Sequence, residues 1–205
     1  MTAIFTGLRA SELRGLTWSD VDFAKSRIHV RQRADRYNAI GRPKSEAGDR
    51  YVPIPAPLVN VLREWRLVCP KKDTGKRDAE GEPVKVLELV FPNGQGKVES
   101  LGNIINRGLH PAQLRAGVAV ETGEVDEDGK PVLAAKYSGM HALRHFNASW
   151  LINPVKSGGL GLSPKEVQER LGHSSIVITM NTYSHLFERL DDGSEMSAAA
   201  AALLG

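Results

Sequence analysis

Two short stretches with the alternating pattern of β-strands lie in a chain whose other apolar residues are mostly spaced as in helices. These stretches are residues 28–33 and 50–54, and both are rich in residues that favour strands. Gly41, Pro43 and Gly48 lie between them, and glycine and proline are typical of turns. The pattern predicts an α+β fold, mainly helical, with a small antiparallel sheet near the start of the chain.

Helical spacing of apolar residues recurs along most of the remaining chain. The predicted helices cover 9–16, 56–68, 101–116, 139–152, 164–171, 175–184 and the Ala/Leu-rich tail 198–204. Residues 70–85 are polar and interrupted by glycine and proline, so they are predicted as an exposed loop. Asp128-Gly129 between apolar flanks predicts a hairpin over 118–137.

Length and composition indicate one domain with an ordinary core, because 205 residues can bury a single apolar interior. Ile4, Phe5 and Leu8 resemble the end of a buried helix whose earlier turns are absent, which predicts a truncated start.

The one cysteine, Cys69, excludes an internal disulfide framework and a Cys-rich zinc site, and it suits a reducing cytoplasm. No apolar run reaches membrane-spanning length, so no membrane partner is expected. The net charge of +3 permits nucleic-acid binding without indicating it.

The first segment with candidate chemistry runs from Thr6 to Leu13. Arg9 follows the turn residue Gly7 at the start of a helix, where its guanidinium can reach a phosphate. Glu12 lies three residues later and can hold that guanidinium in place. The alternative is an ordinary salt bridge at the start of a helix.

The second segment places His141, Arg144 and His145 on one helix face, because their spacing is i, i+3 and i+4. Histidines at i and i+4 also occur in zinc-binding helices. Here no glutamate follows His141, and a metal cation beside Arg144 is electrostatically unfavourable. A bound phosphate therefore fits this face better than a metal.

The third segment is Leu171-Gly172-His173-Ser174-Ser175, followed by a helix that reaches Tyr183. Gly172 is predicted to end one helix and a serine to cap the next, which places His173 at the corner. A tyrosine like Tyr183 is, on its own, more often an amphipathic packing residue.

Together the segments supply arginines, histidines and a tyrosine without a carboxylate dyad, a cysteine nucleophile or a phosphate-binding loop. This set suits metal-free attack on a phosphodiester by a side chain. In their order along almost the whole chain, the segments resemble the motifs of the tyrosine recombinases, the phage integrase family. The resemblance implies that Arg9 and Arg144 bind the non-bridging oxygens of a DNA phosphate and that Tyr183 attacks its phosphorus.

The remaining roles also come from the resemblance. Lys44 would protonate the departing 5′ oxygen, His141 would assist proton removal from the tyrosine, and His173 would bind the phosphate. Glu12 and His145 would support them, and no metal or cofactor would take part. Lys44 is preferred because it precedes Arg50-Tyr51-Val52-Pro53-Ile54 as in similar sequences, although Lys25 and nearby arginines offer other alignments.

The resemblance further implies site-specific recombination, as integration or excision, of double-stranded DNA by a bacterial, phage or prophage protein in the cytoplasm. A homotetramer on DNA is expected, with a monomer possible in its absence. The family's N-terminal core-binding domain is not found in the sequence, and residues 196–204 could dock on a neighbouring protomer or fold back. The alternatives are a type IB topoisomerase, a catalytically silent DNA-binding module and a histidine-dependent metalloenzyme.

Overall fold

A three-stranded antiparallel sheet lies in the first quarter of the chain, as the sequence predicts. The computed structural model describes residues 1–187 and 193–204. Strand β1 (Val21–Asp22) pairs with β2 (Arg27–Val30), and β2 pairs with β5 (Arg50–Pro53). Ile28 lies opposite Val52, and both side chains are buried in the core.

The connection between β2 and β5 has more structure than the predicted turn region. The predicted strand over 28–33 ends at Val30, and beyond it the Gln32 side chain donates a hydrogen bond to the Gly15 carbonyl at 2.6 Å. The chain then forms a second two-stranded sheet and a single 3-10 turn. These elements are β3 (Arg33–Ala34), β4 (Ile40–Gly41) and the turn Glu46–Gly48.

Helices form most of the remaining core, which consists of two apolar clusters. The first cluster packs the helices before and after the sheet against it, and the second packs three later helices against one another. The bounds are α1 (Thr2–Thr6), α2 (Ala10–Gly15), α3 (Ala56–Val68), α4 (Leu101–Asn103), α5 (His110–Arg115), α6 (His141–Ile152), α7 (Pro164–Leu171), α8 (Ile176–Tyr183) and α9 (Ser194–Leu204). A π-helical segment, Ile104–Leu109, joins α4 to α5, so the helix predicted over 101–116 is confirmed with a widened middle.

Two exposed hairpins extend from this core. The hairpin predicted over 118–137 is confirmed as β8 (Ala119–Val125) and β9 (Pro131–Ala135). The exposed loop predicted over 70–85 is wrong in its secondary structure, because β6 (Lys72–Arg77) pairs with β7 (Pro83–Val86). The Asp78 side chain closes its turn by accepting two backbone N–H bonds. Since the hairpin buries little of either face, its sequence lacks the apolar alternation that identifies a strand.

Local signals at the later helices are confirmed. Ser163 and Glu166 form the predicted capping box at the start of α7, and Gly172 ends that helix with a φ of 65°. Ser175 caps α8 by accepting the backbone N–H of Val177. Across the parts of the chain that the structure describes, no helix combines the length and apolar character needed to cross a membrane.

We expect Leu58→Ala to lower the free energy of unfolding by about 2–5 kcal/mol, because its side chain is fully buried on α3 and its loss leaves a cavity. Leu67→Ala on the same helix is the matched control, since Leu67 is 86% exposed. Its effect should stay within about 0.5 kcal/mol. Urea denaturation of both variants measures the difference, and equal losses would contradict the assigned core.

Candidate active site

One pocket of about 610 Å³ brings together residues from all three segments that the sequence singles out. It opens between the two apolar clusters and is lined by α2, the segment before β5, α6, and the corner between α7 and α8. All eight predicted site residues line it: Arg9, Glu12, Lys44, His141, Arg144, His145, His173 and Tyr183.

The Glu12 carboxylate is buried between two arginines. Its Oε2 accepts the backbone N–H of Arg9 at 2.8 Å, and its Oε1 accepts Nη1 of Arg9 at 2.9 Å. Arg50 donates to both carboxylate oxygens, at 3.2 and 3.1 Å. Burial alone raises the pKa of Glu12, but the charge and hydrogen bonds of Arg50 and the Arg9 N–H bring the pKa below its ordinary value. Glu12 therefore stays ionised and holds Arg9 at the N-terminus of α2.

The Arg144 guanidinium spans the two halves of the site from the interior of α6. The residue is 2% exposed, and its two Nη atoms donate to the carbonyls of Gly7 and Leu171, each at 2.6 Å. Burial, followed by the charge of Arg9, lowers the pKa of Arg144 to about 10, so it remains protonated at neutral pH. Gly7 has a φ of 61°, and a Cβ there would collide with the Asn147 amide, so a glycine is required at this contact.

His173 is a buried, neutral histidine at the corner between α7 and α8. Its Nδ1 lies 2.8 Å from Oγ1 of Thr179. Burial, followed by the charges of Arg144 and Arg9, lowers the pKa of His173 to about 4. The imidazole is therefore uncharged at neutral pH and can serve as a hydrogen-bond donor through one nitrogen.

The Tyr183 hydroxyl contacts His145, whose Nδ1 is 2.8 Å away. The family resemblance implies that His141 assists proton removal from Tyr183, and the His141 ring packs edge-on against His145, with centroids 4.8 Å apart. Burial raises the pKa of Tyr183, and the charge of Arg144 opposes this. Burial also lowers the pKa of His141, assisted by His145 and Arg144. Tyr183 is both a packing residue of the second cluster and part of the pocket.

Lys44 lies at the exposed edge of the pocket, between β4 and the 3-10 turn. Within residues 1–187 and 193–204 it forms no hydrogen bond or ion pair. Its ammonium group is thus available to a ligand.

Two further arginines contribute to the site although neither is among the residues predicted from the sequence. Arg33 lines the pocket, and no described carboxylate pairs with it. Nothing in the sequence separates it from Arg31, which pairs with Asp20, or from Arg36, which lies over the ring of Tyr37. Arg50 lies behind the pocket. Its position before Tyr51 and Val52 marks it as a strand residue, and only the fold shows its contact with Glu12.

Among the described residues, no group of three or more histidine, cysteine, aspartate or glutamate side chains is arranged to hold a metal ion. His141 and His145 lie close together as their spacing predicts, but Arg144 is on the same helix and the phenol of Tyr183 contacts His145. The polar groups around the pocket are mostly cationic or neutral donors, which suit an anionic ligand such as a phosphate.

We expect the free energy of unfolding to fall between pH 6.5 and pH 4 partly because of His173. The folded state keeps its imidazole neutral, whereas the unfolded chain protonates it near the ordinary value of 6.5, so protons favour unfolding as the pH falls. His173→Asn should make this loss shallower. Urea denaturation at pH 7 and pH 5 compares the two proteins, and equal losses would contradict a neutral buried His173.

The chain is similar to known proteins over most of its length. The chain is 29% identical over 203 residues to a XerC-like tyrosine recombinase from Caldanaerobacter subterraneus, covering 92% of this chain and 45% of the relative. It is 27% identical over 186 residues to the transposase of transposon Tn916 from Enterococcus faecalis, covering 88% of this chain and 40% of the relative. The chain thus spans less than half the length of these relatives.

Solved structures share the fold. The integrase of transposon Tn1549, in complex with transposon right end DNA, matches with a TM-score of 0.64 and 22% identity, over 98% of this chain and 56% of that one. The XerA recombinase matches with a TM-score of 0.54 and 22% identity, over 98% and 55% of the two chains. The sequence pattern that defines the phage integrase family matches residues 1–189. The chain therefore belongs to the phage integrase family.

Proposed function

We propose that this chain is the catalytic domain of a site-specific DNA recombinase that cleaves and rejoins strands through Tyr183. The observation that carries the proposal is the shared pocket, which Tyr183 lines together with Arg9 and Arg144. The double-stranded DNA phosphate would occupy this space. Relatives and structural neighbours named as recombinases, transposases and integrases support the proposal.

The proposed step exchanges one phosphoester for another. The Tyr183 oxygen attacks phosphorus, the bond from phosphorus to the 5′ oxygen breaks, and a 3′-phosphotyrosyl link with a free 5′-hydroxyl remains. Attack by a different 5′-hydroxyl reverses the step and joins new partners. Because the number of phosphoester bonds is conserved, no nucleotide cofactor is required.

The phenol needs a proton acceptor, because burial raises its pKa above the ordinary value. We assign this role to His145, whose Nδ1 already contacts the hydroxyl. The His141 ring packs edge-on against the His145 ring, and this contact would set the orientation of His145. The assignment differs from the role that the family resemblance gives to His141, and it follows from the 2.8 Å contact.

The phosphate oxygens gain negative charge in the transition state, and fixed cationic donors stabilise that charge. Arg9 and Arg144 would bind the non-bridging oxygens, because a guanidinium presents two parallel donors. If Thr179 donates to Nδ1 of His173, the proton of this neutral imidazole lies on Nε2, which can donate to the phosphate. Lys44 would protonate the departing 5′ oxygen from the open edge of the pocket.

The assembly on DNA is part of the same proposal. Residues 196–204 belong to α9, where the side chains of Met196, Leu203 and Leu204 are exposed, so an apolar surface is available for docking on a neighbouring protomer. A homotetramer on two DNA duplexes would use such contacts.

Tyr183→Phe should abolish covalent attachment to DNA while leaving DNA binding in place, because only the nucleophilic oxygen is removed. The assay incubates the protein with a nicked suicide duplex that carries the host attachment sequence and detects an SDS-stable protein–DNA band. A gel-shift assay measures binding in parallel. A covalent band formed by the phenylalanine variant would assign the chemistry to another residue and refute the proposal.

Arg144→Lys should slow formation of the covalent band by about 10²–10³-fold, because an ammonium cannot replace the two donors of a guanidinium. Arg14→Lys is the matched control. Arg14 is also a buried arginine bound to backbone carbonyls, those of Glu99 and Asp35, but it lies outside the pocket. The control should retain most of the wild-type rate, and equal defects in both variants would reduce the role of Arg144 to structure.

A further inference from the structure

We propose that Arg50 is a positioning residue that holds the Lys44 segment, defined as residues 42–49, against the catalytic pocket. The inference rests on the proposed function, in which Lys44 protonates the leaving 5′ oxygen. Arg50 does not line the pocket, and it would act on the reaction only through the placement of Lys44.

The buried guanidinium of Arg50 joins three parts of the chain. Its Nη atoms donate to both oxygens of Glu12 on α2. Nη1 also donates to the Gly48 carbonyl at 3.1 Å, and Nε donates to the Arg170 carbonyl near the end of α7 at 2.9 Å. One side chain therefore fixes the distances between α2, the Lys44 segment and α7.

Lys44 depends on this anchor because its own side chain has no partner among the described residues. The backbone after Lys44 forms the Glu46–Gly48 turn, and Gly48 is where Arg50 binds that turn. The turn packs closely, since a Cβ on Gly48 would lie 2.5 Å from Cβ of Pro43. Movement of Gly48 would therefore move the residues that flank Lys44.

Gly172, beside His173 at the corner between α7 and α8, packs closely against Arg50 and the Lys44 segment. A Cβ on Gly172 would lie 2.7 Å from Nη1 of Arg50 and 2.8 Å from the Ala47 carbonyl. The glycine therefore serves a second purpose besides its left-handed φ of 65°, because it leaves room for Arg50 and the Lys44 segment.

Arg9 depends much less on Arg50. It keeps two hydrogen bonds of its own to Glu12 and a third to the Gly172 carbonyl at 3.3 Å. Loss of the Arg50 side chain should therefore displace Lys44 more than Arg9. The two effects can be distinguished chemically, because Lys44 would act on the leaving 5′ oxygen and Arg9 on the non-bridging oxygens.

The test uses a nicked suicide duplex with the host attachment sequence and a second duplex in which sulfur replaces the bridging 5′ oxygen at the cleaved phosphate. A thiol is far more acidic than an alcohol, with a pKa of about 8.5 for a cysteine side chain, so sulfur departs as a thiolate without a proton donor. Arg50→Met should slow covalent attachment to the oxygen duplex by about tenfold or more, since general acids contribute at least that much. On the sulfur duplex most of this loss should disappear.

Two variants calibrate the comparison. Lys44→Ala should be rescued by sulfur, because it lacks only the proton donor, and Arg9→Ala should remain impaired on both duplexes. If Arg50→Met is equally impaired on both duplexes, or unimpaired on oxygen, Arg50 does not position Lys44. If the wild-type protein forms no covalent band on either duplex, the proposed function itself fails.

A second readout needs no catalysis and guards against loss of folding. Trypsin cleaves poorly after Arg42, because Pro43 follows it. Within the Lys44 segment, cleavage of the bond after Lys44 therefore reports the mobility of the segment. Arg50→Lys keeps a cation beside Glu12 but cannot reach the carbonyls of Gly48 and Arg170 together. In a folded variant, verified by thermal unfolding, cleavage after Lys44 should be several-fold faster than in the wild type. Unchanged cleavage in a folded Arg50→Lys protein would overturn the proposal.

Discussion

The structure of the site depends on a single buried carboxylate, that of Glu12. A carboxylate removed from water is unstable unless its charge and lone pairs are satisfied, and here two arginines and a backbone N–H provide both. This need for partners fixes the positions of both arginines. Glu12 holds Arg9 towards the pocket at the start of α2, and it holds Arg50 behind the pocket, where the Lys44 segment and the end of α7 converge.

The lining of the pocket carries an excess of positive charge. Arg9, Lys44 and Arg144 line it together with Arg33, and Glu12 is the carboxylate among the described lining residues. Burial, followed by nearby positive charge, lowers the pKa of His173 to about 4 and the pKa of His141 below its ordinary value. A phosphate in the pocket would relieve the repulsion among the cations, so substrate binding and electrostatic stabilisation would have the same physical origin.

The site lies where two apolar clusters meet, and Arg144 joins them. Its helix packs against α1 and α7, and its guanidinium bonds to the carbonyls of Gly7 and Leu171. Leu8 beside Gly7 belongs to the first cluster, while Leu171 and Tyr183 belong to the second. The placement of the tyrosine relative to Arg9 is therefore set by core packing on both sides and not by any local contact between the two.

The sequence by itself determined the local elements and which residues were candidates. Helical periodicity predicted α3 at its observed bounds, and the capping box predicted the start of α7. Seven of the eight predicted pocket residues lie in the three segments or on the helix that follows the third, and Lys44 lies in the turn region between the two predicted strands. These signals are encoded in neighbouring residues, so a linear reading finds them. The hairpin over 72–86 was missed because it buries too little to impose an alternating pattern. Only the tertiary structure decided that His145 contacts Tyr183, that Arg33 faces the pocket and that Arg50 joins Glu12 to Gly48. Those contacts join segments that lie far apart in the sequence, by up to about 160 residues in the contact of Arg9 with Gly172. The packing of the two apolar clusters brings such segments together.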